Sequence, residues 1–422
     1  MNYYGTRNKE NFYSLYDAAK SGLAPCRGLY MPESIPSVDM VELEKEAEKS
    51  YAHMAFYVAD KIFGQDMDKE LLRNIVFDAY NFDIPVLELG KSGIYTLELF
   101  HGPTLAFKDF GARFMSRMLS AICGDKKMII LTATSGDTGS AVADGFYGID
   151  GIDVHILFPE GKISDFQERQ MTTLGKNIYA YRVDGTFDDC QAMVKEIFAD
   201  HKLCAEKNIT SANSISILRW IPQSFYYFWA YVQWKKQTGK TECDVVVPSG
   251  NFGNITAAIF AHKMGMPVKR FIAAVNANDT MVKFLNEGIY QAKPSIQTVA
   301  NAMDVGDPSN YERLIELFDA EQLKDKMFAV SYSDDQIKDA MKELYEKYNY
   351  ISDPHSAVGY LAYKAMNADG YYVSTAHNSK FASVVKDALN IDVAIPDTHK
   401  HIMTKEKIFG HLKRDELLNV IN

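Results

Sequence analysis

Met128-Ile129-Ile130-Leu131-Thr132-Ala133-Thr134-Ser135-Gly136-Asp137-Thr138-Gly139 is the stretch whose reading decides the fold. Met128 to Leu131 are apolar in succession instead of alternating, so both faces of this strand have to be covered. Hydroxyls and two glycines end the run, and a helical pattern follows. Strand, polar turn and helix in that order form the unit of a parallel sheet clothed in helices. The same rhythm extends outward in both directions. Short β-rich runs fall at 95–100, 154–158, 178–183, 245–247, 271–275 and 371–374. Helical patterns fall at 107–122, 166–174, 187–206, 217–234, 254–263, 334–348 and 379–389. The expected class is α/β, with ligands at the carboxyl ends of the strands. Residues 1 to 90 read as mostly helical, with turn signals at Gly22-Leu23-Ala24-Pro25 and Met31-Pro32.

At 422 residues the chain exceeds one simple core, so two or three domains are expected. A formal net charge of -10 argues against nucleic acid or an anionic membrane as partner. An anionic ligand then has to be held by a local field acting against the overall one. Cys26, Cys123, Cys190, Cys204 and Cys243 are scattered and form no CxxC, which suits a reduced intracellular chain with free thiols. Met1 to Arg7 contain no apolar leader, and no 18-residue apolar run occurs, so a soluble, cytoplasmic protein is expected. The sequence leaves the oligomeric state open.

One internal echo stands out: Ser135-Gly136-Asp137-Thr138-Gly139-Ser140 against Ser249-Gly250-Asn251-Phe252-Gly253-Asn254. Each lies between a strand and a helix. Glycines let the backbone turn sharply, and the helix that follows offers unpaired N–H groups and the positive end of its dipole to an anion. Neither loop is a Walker A motif, and no GxGxxG occurs. Taken alone, 248–254 reads equally as a structural turn, and Asp137 and Thr138 read equally as helix caps. In His101-Gly102-Pro103-Thr104-Leu105-Ala106-Phe107-Lys108-Asp109 a strand ends, Gly-Pro turns the chain and a helix begins near Ala106. Lys108 in the first helical turn, among Leu105, Phe107 and Phe110, is disfavoured as an ammonium ion, which Schiff-base chemistry requires. For a lysine taken at random, the surface reading is the commoner one. Ser211-Ala212-Asn213-Ser214-Ile215-Ser216 and Arg219 gather hydroxyls, an amide and a guanidinium suited to a phosphate, or else cap a helix. His355 and His377 read as turn residues or as acids, and Thr398-His399-Lys400-His401 has no metal-ligand geometry, so no metal is expected.

Taken together these motifs resemble the fold-type II pyridoxal-phosphate enzymes, the tryptophan synthase β-subunit group, and within it the longer branch of the threonine synthase family. Four segments carry the resemblance: 101–109, 135–139, 250–254 and Asp353-Pro354-His355-Ser356-Ala357-Val358-Gly359. The pattern at 3–32 adds to it. The likeness implies two open, twisted, largely parallel sheets flanked by helices, after an N-terminal, mostly helical region. It implies an N-terminal region at 1–95, a smaller mobile domain at 110–235, and a large cofactor domain built from 96–109 and 236–422. Lys108 would carry pyridoxal 5'-phosphate as an internal Schiff base. Gly250, Asn251, Phe252, Gly253 and Asn254 would hold the cofactor phosphate, and Thr375 would meet the pyridine nitrogen. Thr134, Ser135, Gly136, Asp137 and Thr138 would take the substrate carboxylate, and Asn213, Ser214 and Arg219 its phosphate. The implied reaction converts O-phospho-L-homoserine and water into L-threonine and phosphate.

Two positions depart from the pattern. Related enzymes usually carry Asn where Asp137 stands, and Cys26-Arg27 replaces a more usual Asp-Gly. Other activities fit the same scaffold: a phospho-lyase releasing a 2-oxo acid from phosphohomoserine, or a dehydratase of serine or threonine. A non-catalytic binder of phosphorylated ligands is the reading from another class. It has no use for Lys108 and Thr375 together.

Overall fold

A computed structural model of the chain describes residues 1–124, 127–414 and 416–421, apart from the side chains of Cys123 and His201. The chain divides into two compact units. The first comprises Met1, Met31–Phe107 and Trp220–Ala394. Its sheet runs, edge to edge, Met327–Ser331, Val268–Val275, Cys243–Pro248, Gly370–Ser374, Tyr95–Glu98 and Val86–Glu88. Every neighbouring pair is parallel except the last. Cys243–Pro248 is buried at all six residues, which explains its unbroken Val-Val-Val. Val246, Ile272, Ala274 and Tyr372 pack beneath the helices Asp334–Tyr348 and Pro354–Ala365. On the other face, the Tyr371 hydroxyl reaches the Tyr227 carbonyl of helix Gln223–Thr238 at 3.4 Å.

Asp244 ties three of these strands together. It is fully buried, accepts from Arg270 Nε at 3.0 Å and Nη2 at 2.5 Å, and accepts the Asp369 N–H at 2.9 Å. Helices Met40–Lys49, Tyr51–Phe63 and Lys69–Ala79 precede the sheet, each opened by a side-chain cap, from Asp39, Ser50 and Asp68.

The second unit comprises Asn2–Tyr30, Lys108–Arg219 and the chain from Ile395 onward. Its sheet runs Gly410–Leu412, Ile178–Val183, Ile152–Pro159, Met128–Ala133 and Ile209–Ser211, all parallel. Leu131, Ala133, Leu157 and Val183 pack against Met193, Val194 and Ile197 of helix Phe187–Ala199. The α/β class with largely parallel, helix-flanked sheets holds for both units.

Several details differ from the sequence reading, each for a local reason. Residues 3–13 form an antiparallel hairpin, Tyr3–Gly5 with Asn8–Tyr13, instead of helix. The helical pattern at 187–206 breaks at Asp200, whose side chain caps the next helix by accepting from Leu203 N–H. The pattern at 217–234 breaks around Pro222. Pro354–Ala365, read as a turn, is a helix with Asp353 as N-cap and proline in its first turn.

The compact units are drawn differently from the expected 1–95, 110–235, and 96–109 with 236–422. Residues 220–235 belong with the first unit, where Trp220 Nε1 donates to Thr256 Oγ1 at 3.0 Å. Residues from 395 belong with the second, held by the Gly410–Leu412 strand and by Lys407 against Asp165 at 2.8 Å. Cys26, Cys190, Cys204 and Cys243 are free thiols, and the Cys123 side chain lies outside the described residues.

Asp244→Ala removes the buried partner of a guanidinium that keeps partial contact with water. It is expected to lower stability by about 3 kcal/mol, the low end for breaking a buried pair, in urea unfolding. An unchanged midpoint would contradict this account of the sheet.

Candidate active site

In the first unit, the strand Cys243–Pro248 ends and the chain turns through Ser249, whose N–H donates to the Ala274 carbonyl at 2.8 Å. Phe252 takes the left-handed conformation at φ 62°, and helix Gly253–Lys263 starts without a side-chain cap. Among the described residues, no protein group accepts from the N–H of Phe252, Gly253 or Asn254. The loop is built from beneath. Asn254 Nδ2 donates to the Pro248 carbonyl at 2.8 Å, and Asn254 Oδ1 accepts the Ile255 N–H at 2.9 Å. Asn251 Oδ1 accepts the Ser309 N–H at 2.6 Å. These two side chains shape the loop, and its ligand-ready donors are the backbone N–H groups. Gly250 is required by close approach: a Cβ there would stand 2.7 Å from Met303 Cα.

Thr375 follows the end of strand Gly370–Ser374 and is 5% exposed. Its N–H donates to Ser356 Oγ at 2.9 Å and its carbonyl accepts the Phe107 N–H at 2.8 Å. Among the described residues its hydroxyl bonds no protein group, so it is available to a ligand. The segment before Lys108 is clamped to the same place. Ala106 bridges Ala376, and the His377 N–H donates to the Leu105 carbonyl at 3.0 Å. Leu105 itself sits at φ 60°, and Lys380 Nζ holds the Thr104 carbonyl at 2.7 Å. Lys108 follows directly as the first residue of helix Lys108–Cys123. Below Thr375, Ser374 Oγ meets Thr96 Oγ1 at 2.7 Å, and the Tyr350 hydroxyl donates to Glu98 Oε1 at 2.8 Å. Burial, then Glu98, pushes the Tyr350 phenol well above its ordinary range, so it stays a donor.

In the second unit, Thr134 is spent internally: its hydroxyl accepts the N–H of Gly136 at 2.9 Å and of Gly139 at 2.8 Å. Gly136, at φ 129°, is the N-cap of helix Asp137–Phe146, again without a side-chain cap. Asp137 is buried, and its Oδ1 accepts from Gln167 Nε2 at 2.8 Å. Gln167 cannot turn its amide round, because its Oε1 accepts from Ser164 N–H at 3.2 Å and Oγ at 3.0 Å. Ser135 and Thr138 are half-buried and bond no protein group among the described residues.

Among the described residues, Asn213 Oδ1 and Ser216 Oγ are buried without a hydrogen-bond partner. Arg219 does not lie on a solvated face. It is 5% exposed, donates through Nη1 to the Ala212 carbonyl, and its Nε stands 3.0 Å from where a Gly111 Cβ would be. Burial lowers its pKa to about 10 against the pull of Asp109, so it stays charged at neutral pH.

The sequence reading gave His355 as a turn residue or an acid and assigned Asp353 and Ser356 no role of their own, yet all three are buried beside the site. A helix start was the available signal: Asp before Pro, as N-cap and first-turn residue. His377 Nδ1 meets Ser379 Oγ at 2.8 Å as a turn residue, and no metal-binding cluster occurs among the described residues.

These features fit pyridoxal phosphate on the structure's own terms. A glycine loop offers three unpaired N–H groups at a helix start, a buried hydroxyl has no protein partner, and a lysine follows a clamped turn. Residues 82–374 match the family described as pyridoxal-phosphate dependent enzyme, which fixes the class. Residues 2–80 match the N terminus of threonine synthase. A threonine synthase of Serratia marcescens is 42% identical over 401 residues, covering 94% of this chain and 92% of that protein. The crystal structure of threonine synthase from Escherichia coli superposes with a TM-score of 0.91 at 40% identity, covering 98% of this chain and 97% of that one. The pyridoxal-phosphate-bound threonine synthase of Brucella melitensis gives 0.92 at 31% identity, covering 100% and 98%. The chain belongs to the threonine synthase family, and its cofactor is pyridoxal phosphate.

Gly250→Ala pushes the loop off Met303. It is expected to weaken cofactor binding by about tenfold or more, since the helix-start donors act only when aimed at the anion. Titration of the cofactor-free protein measures this, and unchanged affinity would remove the 250–254 loop from the site.

Proposed function

We propose that the chain converts O-phospho-L-homoserine and water into L-threonine and phosphate, by elimination at Cγ and addition of water at Cβ. The observation that carries this reading is the likeness to threonine synthases over 94% of the chain, including the separate N-terminal match at 2–80. When bound, pyridoxal phosphate supplies an electron sink that acidifies hydrogens on the substrate carbons.

The chain's own residues then divide the remaining work. Phe252, Gly253 and Asn254 give backbone N–H groups to the cofactor phosphate, with Gly250 and Asn251 shaping the turn. Lys108 holds the cofactor and, once released by substrate, takes the Cα proton on Nζ. The helix dipole at its position favours the neutral amine that this requires. Thr375 offers the pyridine nitrogen a neutral hydroxyl, which enforces less positive charge on the ring than a carboxylate would.

Ser135 and Thr138 receive the substrate carboxylate, Gly136 gives the turn its backbone freedom, and Thr134 keeps the turn in shape. Asp137, locked to Gln167, is an acceptor and orients that loop; it is not the donor that an Asn would be. Asn213 and Ser214 meet the substrate phosphate, while Arg219 stands behind their turn and supplies positive charge in a chain of net charge -10. A cytoplasmic location and the absence of nucleic-acid or membrane partners complete the reading. Among the described residues, no helix is long and apolar enough to cross a membrane.

Purified protein supplied with O-phospho-L-homoserine is expected to release threonine and phosphate in equal amounts. Lys108→Ala is expected to lower both by a factor on the order of 10³ or more, as for loss of a catalytic base. Phosphate accompanied by a 2-oxo acid would identify a phospho-lyase instead.

A further inference from the structure

We infer that the Asp353 carboxylate is a positioning residue that sets both ends of the cofactor site. The inference rests on the reading that the 250–254 loop and Thr375 hold pyridoxal phosphate. Asp353 is 1% exposed and caps helix Pro354–Ala365, its Oδ1 accepting the His355 N–H at 2.9 Å. Each oxygen also serves a side chain that leads to a different part of the site.

The first arm runs through His355. The Ala302 N–H donates to His355 Nε2 at 3.1 Å, so that nitrogen carries no proton. The ring is therefore neutral, and Nδ1–H donates to Asp353 Oδ1 at 2.8 Å. Ala302 lies in the turn Asn301–Met303, against which Gly250 is pressed, with Met303 Cα 2.7 Å and the Ala302 carbonyl 3.3 Å from a Cβ position. Through this arm Asp353 fixes the wall behind the phosphate loop.

The second arm runs through Ser356. Its hydroxyl accepts the Thr375 N–H at 2.9 Å, and its own proton goes to Asp353 Oδ2. The Thr375 carbonyl in turn accepts the Phe107 N–H at 2.8 Å, one residue before Lys108. Every donor and acceptor in the two arms has one direction, imposed by a carboxylate that can only accept. Asparagine at 353 keeps the helix cap but turns one acceptor into a donor. If the amide faces His355, the ring must move its proton to Nε2 and confront the Ala302 N–H. If it faces Ser356, the hydroxyl loses its acceptor.

The test compares cofactor-loaded Asp353→Asn, His355→Leu, Ser356→Ala and Thr375→Ala. The readouts are the ³¹P resonance of bound cofactor, its dissociation constant, the visible absorption band and thermal unfolding as a check on folding. His355→Leu is expected to move the ³¹P resonance and weaken cofactor binding by about tenfold, as for loss of a hydrogen bond to a charged group, while the visible band stays put. Ser356→Ala, which removes one hydroxyl and leaves the fold least disturbed, should move the visible band and spare the ³¹P resonance. Asp353→Asn should change both. If Ser356→Ala and His355→Leu alter both readouts alike, or if Asp353→Asn alters neither, the inference is overturned. A Thr375→Ala band that does not move sinks the underlying reading and the inference with it. A moved Thr375→Ala band beside an unmoved Ser356→Ala band overturns the inference alone.

Discussion

The peptide of Thr375 is gripped on both sides, its N–H given to Ser356 Oγ at 2.9 Å and its carbonyl taken by Phe107 N–H at 2.8 Å. The rest of the site depends on this double grip. It joins the ends of two parallel strands, Tyr95–Glu98 and Gly370–Ser374, at the point where the chain turns toward Lys108. Ala106 and Ala376 add one isolated antiparallel bridge, and Leu105 takes a left-handed backbone at the turn. A lysine on an unsupported loop would hold a cofactor loosely. Here the residue before it is fixed by the same backbone that presents the partnerless hydroxyl of Thr375.

The proposed anion sites draw on no surface charge. The chain is acidic overall, yet the helix start at Gly253 has no side-chain cap to consume its N–H groups, and at the Asp137 start Thr134 Oγ1 takes those of Gly136 and Gly139 and leaves the rest of the turn open. Most neighbouring helices are capped by their own Ser, Thr or Asp, as at Ser164 and Thr186. Other helices, such as Gln223–Thr238 and Thr280–Glu287, also start without a side-chain cap, so it is the glycine turns that distinguish these two starts. Asp137 sits at one of them and is restrained from competing with an anion by its bond to Gln167, whose orientation Ser164 dictates. Arg219 contributes charge from behind a turn that it also braces through the Ala212 carbonyl.

The parallel sheets were legible because their strands, such as 128–131 and 245–247, are buried on both faces and so read as unbroken apolar runs. The hairpin at 3–13 was not, because Asn8-Lys9-Glu10-Asn11 is polar and exposed on both sides and leaves no alternation to detect. The helix after Asp353 was masked by its small, weakly patterned residues, although Asp-Pro marks its start. Lys108, Thr375 and the two glycine loops were proposed from motifs. The internal bonding of Thr134, Asn251 and Asn254, and the burial of Arg219, are products of tertiary packing that no local pattern reports. The links that Asp353, His355 and Ser356 make escaped for the same reason: their partners Ala302 and Thr375 are distant in sequence.

The most direct measurement of the central claim is to reduce the yellow protein with borohydride, digest it and locate the cofactor-bearing peptide by mass spectrometry. The account predicts a single pyridoxyl adduct on Lys108, within the 101–109 segment. An adduct on another lysine, or none on a protein that has bound the cofactor, would contradict it.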